Sequence, residues 1–155
     1  MSMNMFDIDW LYTAFNHFNL ELFNGELPEC DLSTIHLGDR HGTQETFGDL
    51  HFITIDILTV NDDTELYSTL VHEMAHVWQA KQLGGVFENP HCDVWLAKMA
   101  EIGLPPFMSI HWQDEPQHCS NEVAKNGPFI NSLQALIQSG FQTPWVRLGK
   151  VVTSP

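Results

Sequence analysis

Basic residues are scarce in this chain: six Lys and Arg stand against 20 Asp and Glu, a formal net charge of −14 over 155 residues. The shortage is uneven. Residues 1–73 hold 14 acids and a single base, Arg40, whereas residues 74–155 hold six acids and five bases. A nucleic-acid surface needs clustered Lys and Arg to displace counterions from phosphates. No such cluster exists here, and the field of the N-terminal half repels phosphate. Most of the carboxylates are scattered, as solvating charges are. Long apolar runs are missing too; none approaches the ~18 residues of a membrane helix, so no membrane partner is expected. The opening Met1-Ser2-Met3-Asn4-Met5-Phe6-Asp7 has no basic segment leading into an apolar one, which argues against a secretory signal. Three cysteines, Cys30, Cys92 and Cys119, cannot all pair, and none lies in a CxxC. They exclude a four-cysteine structural zinc site within one chain and make reduced thiols in a cytoplasmic setting the expectation. Internal repeats and low-complexity tracts are also absent.

What is present is a core. A hydrophobic share of 43%, with 10 Phe, 5 Trp and 2 Tyr, marks a globular chain, and the length suits one domain. Ile8, Leu11, Tyr12, Phe15, Phe18 and Leu22 recur at helical spacing, so residues 7–23 read as an amphipathic helix with Asp7 as its N-cap. Asn24-Gly25 stops it. Residues 32–37 suit a short strand, 38–42 a turn, and 44–50 and 51–56 one or two further strands, with Gly48 marking a bulge or a close backbone approach. Asn61-Asp62-Asp63-Thr64 caps a long helix over 63–82 that Gly84-Gly85 ends. After a loop at 86–91, residues 93–102 form another helix closed by Gly103 and Pro105-Pro106. Residues 105–127 show no periodicity, 129–138 form a last helix, and 145–148 suit a short strand. Strands gathered ahead of the longest helix describe an α+β domain with a small antiparallel or mixed three-stranded sheet.

The chemistry lies in His72-Glu73-Met74-Ala75-His76. Residues four apart on a helix share a face, so His72 and His76 can hold one metal ion between them. Glu73 is offset by about 100°, near enough to reach a water on that metal but badly placed to ligate. Two imidazoles and a carboxylate in the apolar run from Leu70 to Trp78 are costly unless something satisfies them. The pattern predicts a zinc hydrolase, with Zn²⁺ on the imidazoles and Glu73 as the base that takes the water proton. The plain alternative is a core helix with two hydrogen-bonded histidines.

A catalytic zinc usually has three protein ligands. Gln79 and Gln82 occupy the positions where a metzincin arrangement needs Gly and His, which excludes that class. Glu101, the candidate for thermolysin-like ligation, lies at the far end of its helix. His91, at the entrance of that helix, is the best third ligand, with Asp93 and Glu88 as weaker rivals. His111 and His118 are outside candidates, and His17, His36, His41 and His51 read as surface or hydrogen-bonded residues. Cys92 next to His91 could ligate or block the metal, although adjacent side chains rarely converge on one ion. Tyr12, Tyr67, His111 and His118 are candidates for oxyanion stabilisation. Residues 46–50 offer a sheet edge for an extended peptide, while Phe47 and Leu50 read equally well as core side chains. Trp78 and Trp95 suit packing between the two helices.

Four segments carry a resemblance to the SprT-like zinc metallopeptidases, the family that includes the DNA–protein crosslink protease Spartan. Phe18 through Pro28, with Leu22-Phe23-Asn24-Gly25-Glu26-Leu27-Pro28, resembles the family's first helix and its exit. Thr46-Phe47-Gly48-Asp49-Leu50 is similar to the strand before the metal helix. Leu70 through Gln79 resembles the metal-helix signature, and Asn89 through Leu104 the segment with the third histidine. The tail carries only a faint echo, Asn126-Gly127-Pro128-Phe129, of short bacterial and phage members. The resemblance implies a minimal zincin-like fold over residues 1–105, the HExxH helix packed on the helix after it, with 106–155 as an extension (loop, helix, short strand) packing on that core. It also implies a zinc-dependent metalloendopeptidase acting on protein or peptide substrates: Zn²⁺ on His72, His76 and His91, and a zinc-activated water served by Glu73 as general base. Two other readings stay open, a zinc-bound protein-interaction module with little or no proteolysis and a DNA-dependent protease acting on DNA–protein crosslinks. The family's frequent four-cysteine zinc ribbon and Spartan's basic DNA-binding segments have no counterpart here. Nucleic acid is thus a partner by resemblance only, disfavoured by charge.

Overall fold

The computed structural model describes residues 8–84, 92–104 and 127–149. Among them four helices and three strands follow in the order α1 (Asp9–Phe23), β1 (Asp31–Thr34), β2 (Gly42–Phe47), β3 (Leu50–Ile55), α2 (Asp63–Gln82), α3 (Asp93–Ile102) and α4 (Pro128–Gln138). Leu11, Ala14, Phe15 and Phe18, three and four residues apart, bury one face of α1. The helix begins after Ile8, which occupies the cap position without a side-chain cap bond; Asp7, the expected cap, lies outside the described residues. Asn24 in the left-handed region ends it, and the Tyr12 hydroxyl accepts from the Leu32 N–H at 2.9 Å, tying α1 to β1.

The sheet is mixed, in the order β1-β3-β2. β1 runs parallel to β3 with Leu32 opposite Ile53, and β2 runs antiparallel to β3 with Phe47 opposite Leu50. A parallel neighbour cannot be reached through a tight turn. The chain therefore leaves β1, crosses to the far edge through residues 35–41, and returns along β2 into the central strand. Gly48, expected to mark a bulge or a close backbone approach, is instead the first residue of the two-residue hairpin turn, where its φ of 63° suits glycine and a Cβ would meet nothing within 4 Å. β1 ends at Thr34, short of the expected residue 37, because Asp56 takes over the backbone beyond it. Its carboxylate accepts from the N–H groups of Leu37 at 2.7 Å, Gly38 at 3.0 Å and Leu58 at 2.9 Å, with His36 Nδ1 at 3.1 Å. Ile53 and Ile55 turn inward, whereas Phe47 and Leu50 are 61% and 58% exposed. The core reading of those two side chains is therefore wrong.

Asp62 caps α2 by accepting from the Glu65 N–H at 2.8 Å, and the Glu65 carboxylate accepts from the Asn61 N–H at 3.0 Å. The 20 residues of α2 reach about 30 Å and are buried on most sides. Gly42 lets β2 approach this helix: a Cβ there would stand 2.9 Å from Thr69 Cγ2 and 3.0 Å from the Thr54 carbonyl. α3 occupies the predicted residues and ends at Gly103, φ 88°. Trp95 is fully buried between α2 and α3, while Trp78 meets Phe23 at 6.3 Å and lies under Lys98 Nζ at 4.2 Å. α4 buries Phe129, Leu133 and Leu136, and Phe129 stacks on Phe18 of α1. Residues 145–148 form a turn, correcting the expected strand: the Leu148 N–H bonds to the Pro144 carbonyl, and the Trp145 indole donates to Asp63 at 2.9 Å. The result is the minimal zincin-like α+β arrangement. No helix among the described residues is long and apolar enough to cross a membrane.

Candidate metal centre

The middle of α2 carries His72, Glu73 and His76, all buried, with the two imidazole rings 5.1 Å apart. His72 Nε2 and Glu73 Oε2 are separated by 3.9 Å. One turn earlier, Thr69 meets Gly42, so the far-edge strand of the sheet passes beside this stretch of helix.

The rings are oriented from two sides. Trp95 of α3 stacks on His76 with centroids 5.1 Å apart and planes 10° from parallel, and it meets His72 edge-on at 5.0 Å. On the other side His76 Nδ1 lies 3.1 Å from Gln79 Oε1, one turn further along α2. A carbonyl oxygen only accepts, so His76 carries its proton on Nδ1 and directs the Nε2 lone pair away from Gln79. The Gln79 amide nitrogen donates in turn to Cys92 Sγ at 3.0 Å, at the entrance of α3.

Burial pushes the Glu73 carboxyl up from its ordinary 4.5 to about 8, and the Arg40 guanidinium opposes this only in part. Arg40 is the one base of residues 1–73, and the crossover held by Asp56 brings it into the field of Glu73. A carboxyl poised near neutrality in a buried site is suited to exchanging protons rather than to holding structure.

Two imidazoles one turn apart, one with its outer nitrogen held by a carbonyl, fit the nitrogen donors that zinc takes. Among the described residues, however, no three His, Cys, Asp or Glu side chains converge into a metal-binding group. His91 and Glu88, together with His111 and His118, lie outside the described residues. Asp93 is exposed, and Glu101 is exposed and paired with Lys98 at 2.9 Å. Tyr12 is engaged with β1, and Tyr67, wholly buried, shares its hydroxyl with Thr143. Cys30 and Cys92 form no disulfide; Cys119 lies outside the described residues. Sequence reasoning missed Gln79, Trp95 and Arg40 as neighbours of the site. Gln79 had one usable signal, a neutral polar residue three positions after His76 in the otherwise apolar Val77-Trp78-Gln79-Ala80.

The profile of the SprT-like family matches residues 11–113, a span that takes in most of α1, the sheet, α2 and α3. No curated protein and no solved structure matches the chain.

Proposed function

The chain belongs to the SprT-like family, and from that premise we propose that it is a zinc-dependent metalloendopeptidase with His72, His76 and His91 as ligands and Glu73 as general base. Family membership itself supports a metallopeptidase-like domain. The observation that carries the finer reading is the buried trio on α2, two oriented imidazoles beside a carboxyl tuned to about 8. Bound there, Zn²⁺ would acidify a water, polarise a peptide carbonyl and draw the Glu73 pKa down. Glu73 takes the proton of the attacking water and delivers it to the leaving amine. His76, held through Nδ1, would offer Nε2 to the ion. Burial around α2 excludes bulk water and strengthens each of these interactions.

The test is zinc content by elemental analysis together with cleavage of a denatured protein, alone and with single-stranded DNA. The expected result is about one zinc per chain and cleavage that needs no DNA. Absence of zinc from folded protein sinks the proposal. Zinc without cleavage of any substrate favours the interaction-module reading instead. Stimulation by DNA that weakens with salt would point to the crosslink-protease reading, which the net charge of −14 disfavours.

A further inference from the structure

We propose that Gln79 is a positioning residue that joins the two halves of the metal centre, its carbonyl oxygen fixing the His76 ring on α2 and its amide nitrogen holding Cys92, the residue that follows His91. The proposal rests on the reading of His76 and His91 as ligands.

Two hydrogen bonds carry it. Gln79 Oε1 stands 3.1 Å from His76 Nδ1, and Gln79 Nε2 stands 3.0 Å from Cys92 Sγ. Only one orientation of the amide satisfies both ring and metal. A donor facing Nδ1 would force the neutral imidazole to carry its proton on Nε2, the atom required for the ion. With the carbonyl facing His76, the NH₂ group must face the other way, and there it meets sulfur. Gln79 is itself wholly buried, so neither of its polar groups can turn to bulk water instead. The geometry thereby gives Cys92 a role other than ligand or poison: it is the acceptor that anchors the entrance of α3 to α2. Two ligands four residues apart on one helix need no such tie, but a third from a different segment does, and Gln79 supplies it from the helix that carries the other two.

The test uses the full chain, with zinc affinity read by competition against a chromophoric chelator and the His76 tautomer read by long-range ¹H–¹⁵N correlation in the metal-free protein. Gln79→Leu removes both bonds, Gln79→Glu keeps an acceptor for His76 but no donor for Cys92, and Cys92→Ala removes the sulfur. Circular dichroism establishes that each variant is folded, and if Gln79→Leu is not, the comparison runs on the other two. Zinc affinity should fall on the order of 10–100-fold in Gln79→Leu. Gln79→Glu and Cys92→Ala should show similar smaller losses, and adding Cys92→Ala to Gln79→Glu should cost nothing further. His76 should stay Nδ1-protonated in wild type, Gln79→Glu and Cys92→Ala, and lose that preference in Gln79→Leu. Wild-type affinity and tautomer in Gln79→Leu, or additive losses from Gln79→Glu and Cys92→Ala, would overturn the positioning role while leaving the zinc reading intact. A folded wild type that binds no zinc would overturn the zinc reading, and this proposal with it.

Discussion

Asp56, just beyond the central strand, and Glu73, in the middle of α2, are both buried carboxylates, yet the fold holds the first ionised and pushes the second toward its neutral form. Burial acts on both in the same direction, upward. At Asp56 it is outweighed by hydrogen bonds from the N–H groups of Gly38, Leu37 and Leu58 and from His36, so the net shift is downward. At Glu73 the opposing influence is the field of Arg40, with no hydrogen bond contributing, and the carboxyl rises to about 8. Proximity to water therefore does not sort buried acids into structural and chemical ones. The number of donors aimed at the charge does. Asp56 is a clamp that closes the crossover between two strands, whereas Glu73 is left able to change its protonation.

The largest test of that contrast is catalytic. Glu73→Gln should retain zinc and lower cleavage of a denatured protein by roughly 10²–10⁴-fold, and a variant that still cleaves would remove Glu73 from the mechanism. Next comes the clamp. Asp56→Ala strips the acceptor from three backbone N–H groups and should cost about 3 kcal/mol or more in denaturant unfolding. Because the folded pKa of Asp56 lies below its ordinary 3.8, its contribution is fully present above that value and disappears as pH falls through the folded pKa. Wild type and Asp56→Asn should accordingly converge in stability only in strong acid.

Glu73 gives the opposite sign. Its folded pKa is raised, so its cost to the metal-free fold is absent below 4.5, grows as pH rises toward about 8, and is complete above that. Metal-free Glu73→Gln should match wild type at low pH and exceed it in alkaline solution by a few kcal/mol, since each tenfold change in proton affinity is worth about 1.4 kcal/mol. A wild type as stable as the variant at alkaline pH would show that Glu73 ionises there without penalty. The smallest effect belongs to Arg40. Arg40→Gln should move the Glu73 titration upward, followed by carboxyl ¹³C shifts of metal-free protein, and high salt should erase the difference because the guanidinium is half exposed.

Much of α2 and α3 was legible beforehand. His72, Glu73 and His76 announce their helix because three polar residues in so apolar a run make sense only on a satisfied face, and Asp62 and Gly103 mark ends where backbone groups need partners. The sheet was less legible. Its strands could be placed, but that β1 lies parallel beside β3 depends on the crossover, and the crossover depends on Asp56, whose four partners are scattered from residue 36 to residue 58. Trp145 to Leu148, three apolar residues and an arginine, suit a short strand, but the chain turns there and the indole N–H finds Asp63, 82 positions away in the chain. In the sequence Gln79 ends the metal-helix signature and excludes a metzincin arrangement, and neither reading gives it a partner. Its two partners, one turn back and 13 residues on, become visible together only when α2 and α3 are packed.

The nearly parallel stack of Trp95 on His76 has a consequence for how an ion would arrive. An imidazole that swings freely must be brought to rest at the moment of capture, and the lost rotational freedom is then subtracted from affinity. Here one indole, wedged between α3 and α2, restrains both rings as part of folding itself. Metal capture would begin from a site already arranged, with its entropy loss charged to the fold rather than to the encounter.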